Sequence, residues 1–155
     1  MMNGVQISSA RDALYIASEM EKRAVKLYER AVMLWPNDAM AQAIENMLAD
    51  ERQHLKHFTA LLGDSLPPQT DALLLSAYAS GILFEGGLHA AARSGAFDSP
   101  RALLCYAAEQ DAIAVDCYTR FAQQCENADD AKAAFLKIAQ EESLHLAALN
   151  RAVSA

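Results

Sequence analysis

Apolar and small residues recur at three- and four-residue intervals along most of the chain, the periodicity of helices with one buried face. From Ser9 onward, Leu14, Ala17, Ala24, Leu27, Tyr28, Ala31 and Val32 fall on such a stripe. Ser9 followed three positions later by Asp12 has the form of a capping box and sets the start of this first helix. Trp35-Pro36-Asn37-Asp38 ends it and opens a second, because proline disfavours helix at the preceding residue and Asn or Asp caps the next start. The second helix is expected to reach Leu62, where Gly63 supplies a stop. Between Asp64 and Pro100 the pattern loosens. Pro67-Pro68 must be extended, an apolar helical piece follows from about Asp71, and Gly81, Gly86, Gly87 and Gly95 weaken what comes next. Ser99 and Pro100 are a cap and a first-turn proline for a third long helix ending near Gln124. Asn127 to Asp130 makes a turn, and a fourth helix runs nearly to the C-terminus.

Four long helices in two hairpins joined by one long, partly helical crossover predict an all-α fold, a four-helix bundle spanning residues 1–155 as one domain. Helices of about 25 residues rise about 37 Å, enough to build a shared core. Composition agrees: 53% of residues are hydrophobic and 21% charged, which excludes a disordered chain. The 13 Lys and Arg against 20 Asp and Glu give a net charge of −7 with no basic run, so nucleic acid is not expected as a partner. No membrane span is expected either. The best apolar stretch, Ala72 to Phe84, is interrupted by Ser, Tyr and Gly and is shorter than the roughly 18–20 residues a bilayer requires. The N-terminal residues lack the apolar segment of a secretory signal, so a cytoplasmic protein is expected. Cys105, Cys117 and Cys125 form no Cys-x-x-Cys, which argues for reduced thiols on helices rather than disulfides or a thiolate metal knuckle.

An internal repeat singles out the polar residues that carry chemistry. The helix-one segment ASEMEKRAVKLYERA, beginning at Ala17, matches AAEQDAIAVDCYTRF, beginning at Ala107, at an offset of 90. Glu19 then falls on Glu109, Glu21 on Asp111, Val25 on Val115 and Tyr28 on Tyr118. ADERQHL and QEESLHL match at an offset of 91, which places Glu51 on Glu142 and His54 on His145. Residues three apart share a helix face, so Glu51 with His54, and Glu142 with His145, can each offer a carboxylate and an imidazole to one point. Glu21 and Tyr28, like Asp111 and Tyr118, are seven apart and also share a face. If these faces converge, the interior holds four carboxylates and two imidazoles. Such a set must be protonated or balanced by cations, and two divalent ions would cancel its charge. Oxygen and imidazole donors without thiolates suit iron or manganese.

Two copies of Glu-x-x-His, ERQH and ESLH, each preceded by a helix with an acid seven residues before Tyr, resemble the rubrerythrin branch of the ferritin-like di-iron carboxylate superfamily. Members of that superfamily place a Glu from each of two helices, and Glu-x-x-His from each of the other two, around a metal pair. The resemblance covers the four long helices and not the crossover. It implies that Glu21, Glu51, His54, Asp111, Glu142 and His145 are both metal ligands and catalytic residues, with Glu51 and Glu142 bridging and each His capping one ion. Tyr28 and Tyr118 would stand behind the ligands. Two departures follow. Asp111 stands where the family usually has Glu, and Glu109, the alternative acid, lies two residues earlier and points to the far side of its helix. The cysteine-bound iron module of many rubrerythrins has no counterpart here, so the electron donor must be a separate molecule.

The implied cofactor is a pair of iron ions, with manganese or a mixed pair as alternatives. The implied activity is reduction of hydrogen peroxide or dioxygen by a homodimeric oxidoreductase. Iron storage in a ferritin-type shell and a metal-free helical interaction module are the other readings. Plainer roles suit the remaining candidates. Glu19, Glu109, Asp50 and Glu141 read as solvated acids or as acids supporting the ligands, His57 as a histidine on the surface or supporting the ligands, and Met20, Met33, Met40 and Met47 as core filler. Glu85 and His89, four apart in the crossover, read as a surface pair that a family precedent could make an additional ligand source.

Overall fold

The computed structural model describes residues 9–65, 67–82, 87–125 and 127–154. Among these, six helices follow in order: α1 (Ala10–Leu34), α2 (Ala41–Leu62), α3 (Gln69–Ile82), α4 (Gly87–Arg93), α5 (Pro100–Gln124) and α6 (Asp129–Ser154). The hairpins α1/α2 and α5/α6 are the main packing units, and they join through α1 against α5 and α2 against α6. The crossover contributes α3 and α4, both resting on α1. Arg23 ties α3 down by donating from its guanidinium to the Ser76 carbonyl at 3.3 Å.

The ends of the helices follow local chemistry. Ser9 accepts from the Asp12 amide at 3.2 Å, and Ser99 accepts from the Ala102 amide at 3.0 Å with Pro100 in the first turn. Each hydroxyl satisfies an amide that the first turn leaves without a helical partner. Gly63 closes α2 with φ +55°, a left-handed conformation that costs glycine nothing, while its amide donates to Thr59 at 3.0 Å. One expectation fails here: neither Asn37 nor Asp38 caps α2. That helix begins later, at Ala41, after Met40, which makes no side-chain cap. Asp38 instead accepts from the Met40 amide at 2.8 Å, so its carboxylate organises the turn ahead of the helix.

The core is largely aliphatic on α1, through Ile16, Met20 and Leu27, and strongly aromatic where α2, α5 and α6 meet. There Phe58 lies 5.3 Å from Tyr118 and 5.2 Å from Phe135, and Phe121 meets Phe135 at 5.5 Å between ring centroids. Burying each such side chain contributes about 1.5–3 kcal/mol. Met20 and Met47 are core residues as expected, and Met40 packs against the core, but Met33 is 72% exposed. It lies on the outer face of α1 with the exposed Lys26, Glu29 and Arg30, while Ala31 and Val32 beside it meet the core. Cys117 and Cys125 are buried free thiols and Cys105 is an exposed one. No helix among the described residues is long and apolar enough to cross a membrane.

Candidate metal centre

Within this hydrophobic bundle lies a polar centre. Glu21 from α1, Glu51 and His54 from α2, Asp111 from α5 and Glu142 from α6 are all buried, and His145 from α6 is nearly so. All six residues singled out by the repeat therefore converge. Donor atoms of Glu21, Glu51, His54 and Glu142 lie within 4.8 Å of one another, and those of Asp111, Glu142 and His145 form a second such group. Glu142 belongs to both groups. Glu51 belongs to the first, although its Oε1 lies between the two imidazoles, 3.5 Å from His54 Nδ1 and 3.7 Å from His145 Nδ1. The rings lie 6.0 Å apart at an interplanar angle of 26°, as the repeat would arrange them.

Each imidazole turns Nδ1 inward and Nε2 outward. The outward nitrogen of His54 meets Glu141 Oε2 at 2.7 Å, and that of His145 meets Asp50 Oδ2 at 2.7 Å. These pairs run in opposite directions between α2 and α6, so each Glu-x-x-His helix orients the histidine of the other. A carboxylate on Nε2 favours a proton there and leaves the Nδ1 lone pair free for a cation. Asp50 and Glu141 thus act as supporting acids. Sequence periodicity allows that role, but the choice of partner depends on how α2 packs on α6, and no spacing within one helix records it.

Tyr118 is fully buried and donates its hydroxyl to Glu21 Oε1 at 2.8 Å, reaching across to the opposite hairpin. Its counterpart Tyr28 is equally buried but makes no hydrogen bond to Asp111 among the described residues. Asp111 is one methylene shorter than the Glu21 that Tyr118 reaches. Glu109 is exposed on the outer side of α5, lining a cleft with Cys105 and Tyr106, so Asp111 is the acid of this helix that faces the centre. Glu19 is partly buried outside the centre, where it accepts from Tyr15 at 3.3 Å and pairs with Lys22. His57 lines a surface cleft with Lys56 and Lys137 that also reaches His54 and Glu141. His89 is exposed on α4, and Glu85 lies outside the described residues.

The electrostatics of the centre show what it lacks. Glu21 Oε2, Glu51 Oε1, His54 Nδ1, Asp111 Oδ2 and both oxygens of Glu142 are buried without a hydrogen-bond partner. His54 Nδ1 is only 2.8 Å from Glu142 Oε1, yet the approach is off the N–H direction, so neither atom is satisfied. Burial, reinforced by the neighbouring carboxylates, holds Glu21 and Glu51 far above the usual carboxyl range and pushes Asp111 up to about 10. For Glu142, burial acts upward but contacts with His54 and Glu51 outweigh it, leaving the group ionised. Burial would lower His54, but Glu142, Glu21 and Glu141 together hold it at about 9. Without another cation, burial favours the protonated forms of Glu21, Glu51 and Asp111 beside a protonated His54. Converging oxygens and inward nitrogens, each missing a partner, fit a hard or borderline divalent cation.

A cavity of about 450 Å³ opens on the α2/α6 side and is lined by Asp50, Gln53, His54, Glu141, Leu144 and His145. Both supporting acids stand at this mouth, which gives small solutes a path to the imidazoles.

The sequence model of the ferritin-like domain matches residues 9–155, and the chain belongs to that family. Comparison with curated proteins and with solved structures found no match. Family membership and the buried Glu/His cluster agree on a centre that could hold a pair of metal ions.

Proposed function

We propose that this chain is a rubrerythrin-like di-iron oxidoreductase that reduces hydrogen peroxide or dioxygen. The observation carrying this reading is the set of six partnerless buried atoms on Glu21, Glu51, His54, Asp111 and Glu142, with His145 facing the same centre. These six residues are the proposed ligands and the groups around which the reaction occurs. A reduced iron pair bound there would supply the two electrons needed to cleave the O–O bond of peroxide, which with two protons yields two waters.

The protein's contribution is positional. Glu142 offers one oxygen toward each histidine, Oε1 at 2.8 Å from His54 and Oε2 at 3.9 Å from His145. Glu141 and Asp50 fix the imidazole orientations, and Tyr118 holds Glu21. Aliphatic and aromatic side chains exclude bulk water, while the α2/α6 cavity admits a small oxidant. Asp50 and Glu141 stand at that mouth, each against the outward nitrogen of a histidine. Electrons would come from a separate donor, since the three cysteines form no iron-binding motif.

Anaerobic loading with ferrous iron followed by peroxide tests this directly. Rapid oxidation of two irons per peroxide supports the proposal. Slow oxidation by dioxygen with mineral growth in a many-subunit shell would replace it with storage, and absence of metal from a fully helical protein would replace it with an interaction module.

A further inference from the structure

We infer that the two cation positions are unequal: the position formed by Glu21, Glu51, His54 and Glu142 fills first, and the position formed by Asp111, Glu142 and His145 fills second and exchanges its ion with solvent. This rests on the metal-centre reading above and concerns the order and strength of binding within it. The repeat by itself predicts the opposite, because duplicated hairpins with matching donors would give matching sites.

Five observations separate the halves. The first group converges four residues with three carboxylates, the second three residues with two. His54 is 4% exposed at its side chain and His145 is 16% exposed. Ion–carboxylate attraction is stronger where water is excluded. Third, His54 Nδ1 approaches Glu142 at 2.8 Å, whereas His145 Nδ1 stands 3.9 Å from Glu142 and 3.7 Å from Glu51. The first set is drawn together and the second is loose. Fourth, Tyr118 braces Glu21 by a 2.8 Å hydrogen bond, while Asp111 receives none from Tyr28 among the described residues. A ligand fixed in advance loses less freedom when the ion arrives. Finally, the acid supporting His54, Glu141, is 39% exposed, and the one supporting His145, Asp50, is 54% exposed. Each of these five differences favours the first position, and the shorter side chain of Asp111 bears on the fourth.

The test is a titration of the metal-free full-length protein with Mn(II), following free ion by its paramagnetic resonance signal and distinguishing a lone bound ion from a coupled pair. The expected result is two steps of one equivalent each, with the second at least about tenfold weaker, since even an outer partner of a ligand commonly changes affinity by that much. Asp111→Glu should tighten the second step and leave the first unchanged. His145→Ala should remove the second step and leave an isolated bound ion. A single step taking up two equivalents, or an Asp111→Glu effect confined to the first step, would overturn the inference while leaving the metal-centre reading intact. Failure to bind any Mn(II) would remove both. The wild-type titration decides the matter even if a variant does not fold.

Discussion

The two hairpins keep the same polar residues in register and differ in what packs around them. Glu51 and His54 recur as Glu142 and His145, and Tyr28 recurs as Tyr118. At equivalent interior positions, however, Ala31 stands for Phe121, Ile44 for Phe135, and Phe58 for Leu149. Three of these aromatic rings gather near Tyr118 and so brace the hydroxyl that holds Glu21. No comparable set of rings can surround Tyr28, since the matching positions are aliphatic. Donor geometry tolerates little displacement, whereas a core accepts exchanges that conserve total volume. The halves could therefore diverge in packing while their polar residues kept register, and the divergence makes one half of the centre stiffer than the other.

The sharpest way to break this comparison is to remove the residue both halves share. Glu142→Gln keeps the shape but withdraws a negative charge from both donor groups. Loss of affinity should exceed the roughly 10–100-fold typical of disturbing an outer-sphere partner, and it should appear at both positions in a metal titration. Glu109→Gln on exposed α5 surface is the control and should leave binding unchanged.

Packing differences should appear in the stability of the metal-free protein. Phe58→Ala removes a fully buried ring that touches Tyr118 and Phe135, and should cost about 3–5 kcal/mol in urea unfolding. Leu149→Ala, at the equivalent position, should cost less than Phe58→Ala, within the range of about 2–5 kcal/mol typical of a buried leucine. Equal losses would mean that the aromatic side confers no extra rigidity.

How much of this is legible in the sequence depends on whether a feature is local. The caps at Ser9 and Ser99, the stop at Gly63 and the four long helices follow from short-range chemistry, and the sequence pattern locates each of them. The six central residues are also legible, because helical spacing fixes a face and the repeat identifies which face matters. The bond from Tyr118 to Glu21 is not, because it crosses between hairpins. Seven-residue spacing ties Tyr118 to the face of Asp111, on its own helix, and says nothing of which opposing carboxylate is long enough to reach. The pairing of Asp50 with His145 and Glu141 with His54 is hidden for the same reason. Met33 departs from its expected core position because it falls on the face of α1 that carries Lys26, Glu29 and Arg30, off the stripe of Ala24, Leu27, Tyr28 and Ala31. The later start of α2 reflects a turn whose carboxylate caps the loop rather than the helix.

Metal loading should also depend on pH in a direction set by the buried acids. In metal-free protein the Asp111 carboxyl, held up to about 10, is protonated at neutral pH, and Glu21 and Glu51 are raised as well. A divalent ion must displace these protons, so binding releases acid and tightens as pH rises toward the raised values. Each proton displaced corresponds to about tenfold in affinity, or about 1.4 kcal/mol, per pH unit. Mn(II) added to weakly buffered protein with an indicator dye should acidify the solution. Binding with no proton release would mean that the acids are already ionised without metal.

The smallest effect compares the two tyrosines. Tyr118→Phe deletes a hydroxyl that donates to a buried carboxyl and leaves Glu21 Oε1 without its partner, so it should cost about 1–2 kcal/mol in urea unfolding of the metal-free protein. Tyr28→Phe deletes a buried hydroxyl with no hydrogen bond to Asp111 among the described residues, and should change stability by no more than about 0.5 kcal/mol. Asp111→Glu should then supply the missing acceptor: in that background the longer carboxyl can reach toward Tyr28, and Tyr28→Phe should become as costly as Tyr118→Phe. A double-mutant cycle between positions 28 and 111 isolates this coupling. If Tyr28→Phe remains neutral in the Asp111→Glu background, the missing methylene is not what separates the two tyrosines, and the difference between them must arise from the aromatic packing behind Tyr118.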